Sequence, residues 1–223
     1  MSIMTMILGE SGTGKTTSLR HLDPAKTLLI RSIAKPLPFR AAGWTQYSRD
    51  NLEGSIYTTD KSDTVCRLLH SENVLKHKDI IVLDDFQYIM ANEFFVRSYE
   101  KGYDKYTEIG RHIYDIIQAA QSLPDNKRVY FLWHTETDAM GKTKAKTIGK
   151  MLDEKYTPEG AFTIALKTVV NQGEYKFATQ NSGNDTVKSP LGMFADALID
   201  NDLAQTDAAI CDFYQINQPE QTA

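Results

Sequence analysis

The segment Gly9-Glu10-Ser11-Gly12-Thr13-Gly14-Lys15-Thr16 constrains this chain more than any other feature. It has the spacing G-x-x-x-x-G-K-[ST], between a short apolar run, Ile3 to Leu8, and a stretch from Thr16 to Leu22 that can form a helix stopped by Asp23-Pro24. A phosphate chain needs several hydrogen-bond donors close together and no side chains in the way. Glycines let the backbone curl and point successive N–H groups inward at a helix N-terminus. Gly9, Gly12 and Gly14 meet that need, with Glu10, Ser11 and Thr13 between them. In such a loop Lys15 sets its ammonium against the β- and γ-phosphates, the Thr16 hydroxyl coordinates Mg²⁺, and Thr17 sits where a residue reaches the α-phosphate. Strand, glycine loop and helix in this order commit the chain to an α/β fold that binds a nucleoside triphosphate.

The remaining punctuation extends that fold. Thr27 to Ile30 reads as a second strand and Ser55 to Thr58 as a short one. Ser62 or Asp63 caps a helix that carries Val65, Leu68 and Leu69 on one side and ends before Asp79. Ile80-Ile81-Val82-Leu83 is a continuous β-branched run of the kind found where a parallel strand is covered on both faces. From about Glu93 to Ser122, the spacing of Ile109, Ile113, Ile116, Ile117 and Ala120 marks the second half as an amphipathic helix closed by Pro124, while Gly102 and Gly110 leave the first half open. Val129 to Trp133 is a further central strand. Phe162 to Val170 and Glu174 to Gln180 alternate around Asn171-Gln172-Gly173, the signature of a β-hairpin. The expected architecture is a P-loop, RecA-like, mostly parallel sheet flanked by helices, with a C-terminal antiparallel hairpin as its extension. Residues 1–200 form one ATP-binding domain and 201–223 an acidic helix and tail.

Carboxylates at strand ends carry the next signal. Asp84 closes the buried strand Ile80–Leu83, where a carboxylate accepts a water bound to Mg²⁺; the bland alternative is a strand cap. Hydrolysis also needs a group to polarise the attacking water, and Asp85 and Glu136 compete for it, Asp85 being equally readable as structural. His134, at the tip of an apolar strand, either reports the γ-phosphate or is a core-edge histidine bonded to backbone. A strand ending in a polar group after the Asp84 strand suits NTPases that insert one strand between the P-loop strand and the carboxylate strand. That favours an ATPase of the RecA or AAA type over a kinase.

Charge is unevenly spread. The net charge is −4, yet no Lys or Arg follows Lys188, while Asp196, Asp200, Asp202, Asp207, Asp212 and Glu220 do. A mildly basic body with an acidic, solvated end is compatible with DNA binding. Lys142, Lys144, Lys146 and Lys150 lie in a polar stretch with Gly141 and Gly149, read as a flexible basic loop. It either tracks a nucleic-acid backbone, supplies a lysine to a neighbouring subunit's nucleotide, or is simply a solvated face. Lys188 invites the same three readings. Trp44, Tyr47 and Tyr57 either stack on bases or pack. No run of about 18 apolar residues exists to span a bilayer, the N-terminus lacks the basic start and cleavage site of a signal peptide, and Cys66 and Cys211 have no metal-binding spacing, so no membrane and a reducing, cytoplasmic setting are expected.

With these residues in place, the chain resembles the short RecA-like ATPases encoded by bacteriophages, the group that includes single-strand annealing proteins built on a reduced RecA core. The likeness rests on Gly9 to Thr16, Lys35-Pro36-Leu37-Pro38-Phe39, Ile80 to Asp85 followed by Phe86-Gln87-Tyr88, His134, Thr147 to Leu152, and Asp185 to Phe194. It implies ATP-dependent binding and annealing of single-stranded DNA in phage recombination or replication, self-assembly into a homo-oligomer, cooperation with a single-strand-binding protein, and work in the cytoplasm of an infected bacterium. The chain departs from RecA in two places. RecA-type enzymes carry a catalytic glutamate just past the second strand, where this chain has Arg31-Ser32-Ile33-Ala34-Lys35, so hydrolysis is slow or uses Asp85 or Glu136. No segment precedes the first strand, so subunits would join through another surface than the N-terminal arm. Two competing functions stay open: a P-loop kinase of a nucleotide or small metabolite, and a nucleotide-gated protein-interaction switch.

Overall fold

β-Branched and aromatic runs separated by helix-forming segments build a mixed sheet in the computed structural model, which describes residues 1–149 and 151–216. Six strands run parallel in the order β3 (Ile56–Thr58), β2 (Thr27–Arg31), β4 (Ile80–Asp84), β5 (Arg128–Thr137), β1 (Ile3–Gly9) and β7 (Ile164–Asn171). β8 (Glu174–Ala178) and β9 (Leu198–Asp200) extend it antiparallel. The hairpin expected as an appendage is thus half core, because β7 pairs parallel with β1 along Thr5–Leu8 while β8 pairs antiparallel with β7. β5 lies between the glycine-loop strand and the Asp84 strand, the insertion expected of it.

Every residue of β4 is buried, as its unbroken apolar run requires of a strand covered on both faces. Alternation along β1 sends Met4, Met6 and Leu8 to one face and Ile7 to the other. The first face packs on α1 (Ser62–Leu69) through Val65 and Leu69 and on α4 (Asp104–Gln121) through Ile109, Ile113, Ile116 and Ile117. Each such buried side chain contributes about 1.5–3 kcal/mol. The second face is covered by Leu19 and Leu22, from and just after the helical turn Thr16–His21, and by Leu203 and Ile210 of α5 (Leu203–Phe213). No helix among the described residues is long and apolar enough to cross a membrane.

Several expectations need correction. The helix expected up to Asp79 is two, α1 and α2 (Glu72–His77). Of the 93–122 segment only residues 93–96 lie in a separate helix, α3 (Gln87–Val96), and the chain turns through a stretch that includes Gly102 before α4 begins at Asp104. The polar 138–150 stretch is not wholly a flexible loop. β5 runs on past His134 to Thr137 and returns through β6 (Thr143–Ala145) as an antiparallel hairpin. α5 is not a solvated acidic helix either. Asp202 caps it, accepting from the backbone N–H groups of Ala204 and Gln205, and Asp207 is buried, accepting from Arg128 Nε at 3.0 Å and from the Tyr130 hydroxyl at 2.5 Å. Both acids have partners far away in sequence, which a count of charges does not reveal. Glu220 lies outside the described residues.

Candidate functional site

Parallel strands of unequal role end side by side at one edge of the sheet. Gly9 of β1 pairs with His134 of β5, and Arg31 of β2 with Asp84 of β4, so the loops that follow all open onto the same crevice at the carboxyl ends, where ligands of open α/β sheets bind. A pocket of about 220 Å³ there is lined by Ser11, Gly12, Gly14, Lys15, Thr16 and Thr17 on one side, and on the other by Lys35, Pro36, Pro38, Asp85 and His134.

The glycine loop has its shape for two local reasons. At Gly9, β7 comes so close that a β-carbon would meet the Thr168 Oγ1 at 1.9 Å. Gly14 has φ +95°, which L side chains avoid. Thr13 Oγ1 lies 2.7 Å from the Glu10 carbonyl and 2.6 Å from Thr168 Oγ1, which ties the loop to β7. Within the loop the Lys15 ammonium donates to the Gly9 and Glu10 carbonyls, both at 2.8 Å. Its burial draws the ammonium pKa down to about 8, with Asp85 and Asp84 pulling the other way.

Thr16 donates its hydroxyl to the Asp84 carboxylate, at 3.0 and 3.1 Å. Asp84 is only 2% exposed, and burial, helped by the neighbouring Asp85 charge, pushes its pKa up to about 6. Asp85 is buried too and has φ +55°, a strained conformation for a residue with a side chain. One of its oxygens takes the Lys35 ammonium and the other lies 3.4 Å from His134 Nε2. Burial raises its pKa, but the bonds to His134 and Lys35 outweigh it and hold the carboxyl below the usual range. Burial likewise pulls Lys35 down, and its bond to Asp85 leaves it raised. The His134 backbone N–H is taken by Gln87 Oε1 at 3.3 Å.

The structure therefore brings the loop residues, Asp84, Asp85 and His134 together and leaves Glu136 apart. Glu136 is absent from the pocket lining and pairs with Lys144 at 3.5 Å. Lys144 is held further by Asp153, while Lys142 and Lys146 are exposed. Lys150 lies outside the described residues. Lys188 sits beside β7, bridged to Ala165 by backbone bonds. Trp44 and Tyr47 are core residues, and Tyr57, partly buried, packs edge-on against Tyr47 at 6.3 Å. Sequence reasoning missed Lys35 as a site residue. Its signal was a cation shortly after the end of a parallel strand, where RecA has an acid.

Comparison with known proteins gives no family model that matches the chain and no curated protein with significant similarity to it.

Proposed function

We propose that this protein is a RecA-like P-loop ATPase that binds MgATP between the Gly9–Thr17 loop and Asp84 and uses nucleotide state to control binding and annealing of single-stranded DNA. The observation that carries the reading is the meeting of Lys15, Thr16 and Asp84 at the mouth of one glycine loop. The hydroxyl of Thr16 and the carboxylate of Asp84 are hard oxygen donors in hydrogen-bond contact, which fits Mg²⁺, and these two residues would hold the ion together with phosphate oxygens. Bound there, it would neutralise charge on the β- and γ-phosphates.

The residues of the chain do the rest. Lys15 exchanges two carbonyl partners for phosphate oxygens, and the loop N–H groups cradle the chain. Asp85 is the nearer candidate for orienting water, but Lys35 and His134 occupy it, so slow hydrolysis follows unless a γ-phosphate draws Lys35 away. His134 belongs to β5, whose far end is the β5–β6 hairpin. The backbone N–H of Lys146 donates to the His134 carbonyl at 2.8 Å, so the histidine facing the phosphates and the exposed lysines share one strand pair. This supports a nucleotide-dependent hairpin that touches the DNA backbone. A homo-oligomer and a single-strand-binding protein are the partners that go with this reading.

Calorimetry with MgATP and fluorescence anisotropy of a labelled single-stranded oligonucleotide test it together. Wild type should bind MgATP and hold DNA differently with ATP, with ADP and without nucleotide, and Lys15→Ala should lose at least about 100-fold in ATP affinity while keeping its melting temperature. Unaltered ATP affinity in that variant would remove the site assignment. ATP binding without DNA binding in any state would leave a kinase or a protein switch.

A further inference from the structure

Beside the phosphate pocket lies a second cavity, of about 430 Å³, which shares Gly12 and Thr17 with it and is otherwise lined by Arg20, Tyr175 and Asn201. Its size falls in the range of small-molecule sites. On the ATP-binding reading Thr17 lies at the α-phosphate end of the loop, so the cavity adjoins the end of the phosphate chain that carries the nucleoside.

Asn201 is the unusual residue. It is 4% exposed, and both its amide nitrogen and its amide oxygen are buried without a hydrogen-bond partner. Among the described residues only two other buried side-chain atoms share that condition, the hydroxyls of Thr5 and Thr27, and both sit within strands of the sheet. A polar group is kept unpaired in this way at a cost, and such groups call for a functional or structural reason. The Asn201 amide is turned toward the loop. A β-carbon on Gly14 would lie 3.0 Å from its oxygen, 3.2 Å from its nitrogen and 3.0 Å from the ring of Tyr175. The Asn201 backbone N–H donates to the Tyr175 carbonyl at 3.3 Å, and Arg20 holds the Asn201 carbonyl at 2.6 Å, so the peptide is fixed while the amide is not. Tyr175 is half exposed.

We propose that this cavity is the nucleobase subsite of the nucleotide whose phosphates occupy the glycine loop, with Asn201 reading the base and Tyr175 stacking on it; the assignment rests on the ATP-binding reading above. A carboxamide sets one donor beside one acceptor. Adenine answers that pair on either edge, through N6 with N1 or N6 with N7, whereas guanine offers a matching pair only on its Watson–Crick edge and two acceptors on the other. Turning of the Tyr175 ring opens the amide to the cavity and presents an aromatic face to a planar base. The amide can therefore read adenine in two orientations and guanine in one, so the subsite favours adenine.

The experiment compares MgATP, MgGTP and magnesium tripolyphosphate, which has no base, by calorimetry on wild type, Asn201→Leu and Tyr175→Ala. The proposal expects Asn201→Leu to lose about tenfold or more in ATP affinity and its preference over GTP, to bind tripolyphosphate as wild type does, and to melt no lower than wild type, because an unpaired buried amide has been replaced by an apolar group of similar size. Tyr175→Ala, at an exposed position, should also weaken ATP and spare tripolyphosphate, and it decides the matter if Asn201→Leu does not fold. Wild-type ATP affinity in both variants overturns the base subsite while tripolyphosphate binding keeps the phosphate site. Wild type that binds neither ATP nor tripolyphosphate overturns the phosphate site, and the base subsite with it.

Discussion

Lys15 is poised to lose its proton just above neutrality, and this sets a pH limit on nucleotide binding. With its pKa drawn down to about 8, the ammonium that phosphate needs is present below about pH 8 and must be regained from solvent above it. ATP affinity should be flat near neutrality and fall by about tenfold per pH unit beyond 8, and Lys15→Arg should abolish the fall. Calorimetry at several pH values checks it; a flat profile in wild type would contradict a buried lysine at the phosphates. Asp84 gives the opposite kind of prediction. Its folded pKa of about 6 lies above the ordinary 3.8, so the native state holds the proton more tightly and stability declines as pH rises between those values, the cost being complete at neutral pH. Asp84→Asn should therefore raise stability at neutral pH by about 3 kcal/mol, seen as a melting temperature higher by about 6–12 °C, with no gain below about pH 4. Asp85 runs the other way. Its pKa is held down, so its pairing stabilises above the ordinary carboxylate range and is lost as pH falls through the lowered value. Lys35→Ala should lower stability by about 1–2 kcal/mol at neutral pH, less than a fully buried pair would lose because Lys35 is half exposed, and the deficit should vanish in acid. Of these residues the glycine loop and Asp84 were legible, because backbone chemistry and strand ends leave marks in sequence. Lys35 and Asn201 were not, since each matters only through a partner or cavity that folding creates.

Elements show the same division. The central strands and α4 could be read from apolar runs and three- and four-residue spacing, as in Ile109, Ile113, Ile116 and Ile117, because burial alone determines them. The β5–β6 hairpin was hidden by its composition: Lys144 looks like part of a basic loop until Asp153 and Glu136 are seen to pair with it. On the proposed reading, DNA affinity should depend on the two exposed lysines. Lys142→Ala with Lys146→Ala should weaken oligonucleotide binding in anisotropy and leave melting unchanged, and a DNA affinity equal to wild type would rule the hairpin out as the contact. α5 was misread as solvated for a similar reason. Asp207→Ala would strand the buried Arg128 guanidinium and should cost about 3–5 kcal/mol in chemical denaturation, far more than a surface acid would.

At the scale of the whole molecule, the net charge of −4 limits how much DNA binding can rest on nonspecific attraction. If Lys142 and Lys146 are the main phosphate contacts of a protomer, the logarithm of single-strand affinity should fall with the logarithm of salt with a slope of only about −1.4. The parallel order of the sheet followed from alternating strand and helix patterns, but not the way its last strands return to its first loop. Thr168 fills the space beside Gly9, the Asn201 carbonyl holds Arg20, and Asp202 binds His21 Nδ1 at 2.6 Å. The contacts that hold the glycine loop and the helical turn after it come from residues about 160–180 positions further along the chain. The most recognisable motif is thus shaped by contacts of high sequence separation, which form late because the entropy of closing so long a loop must first be overcome, so the phosphate-loop region takes its form only near the end of folding.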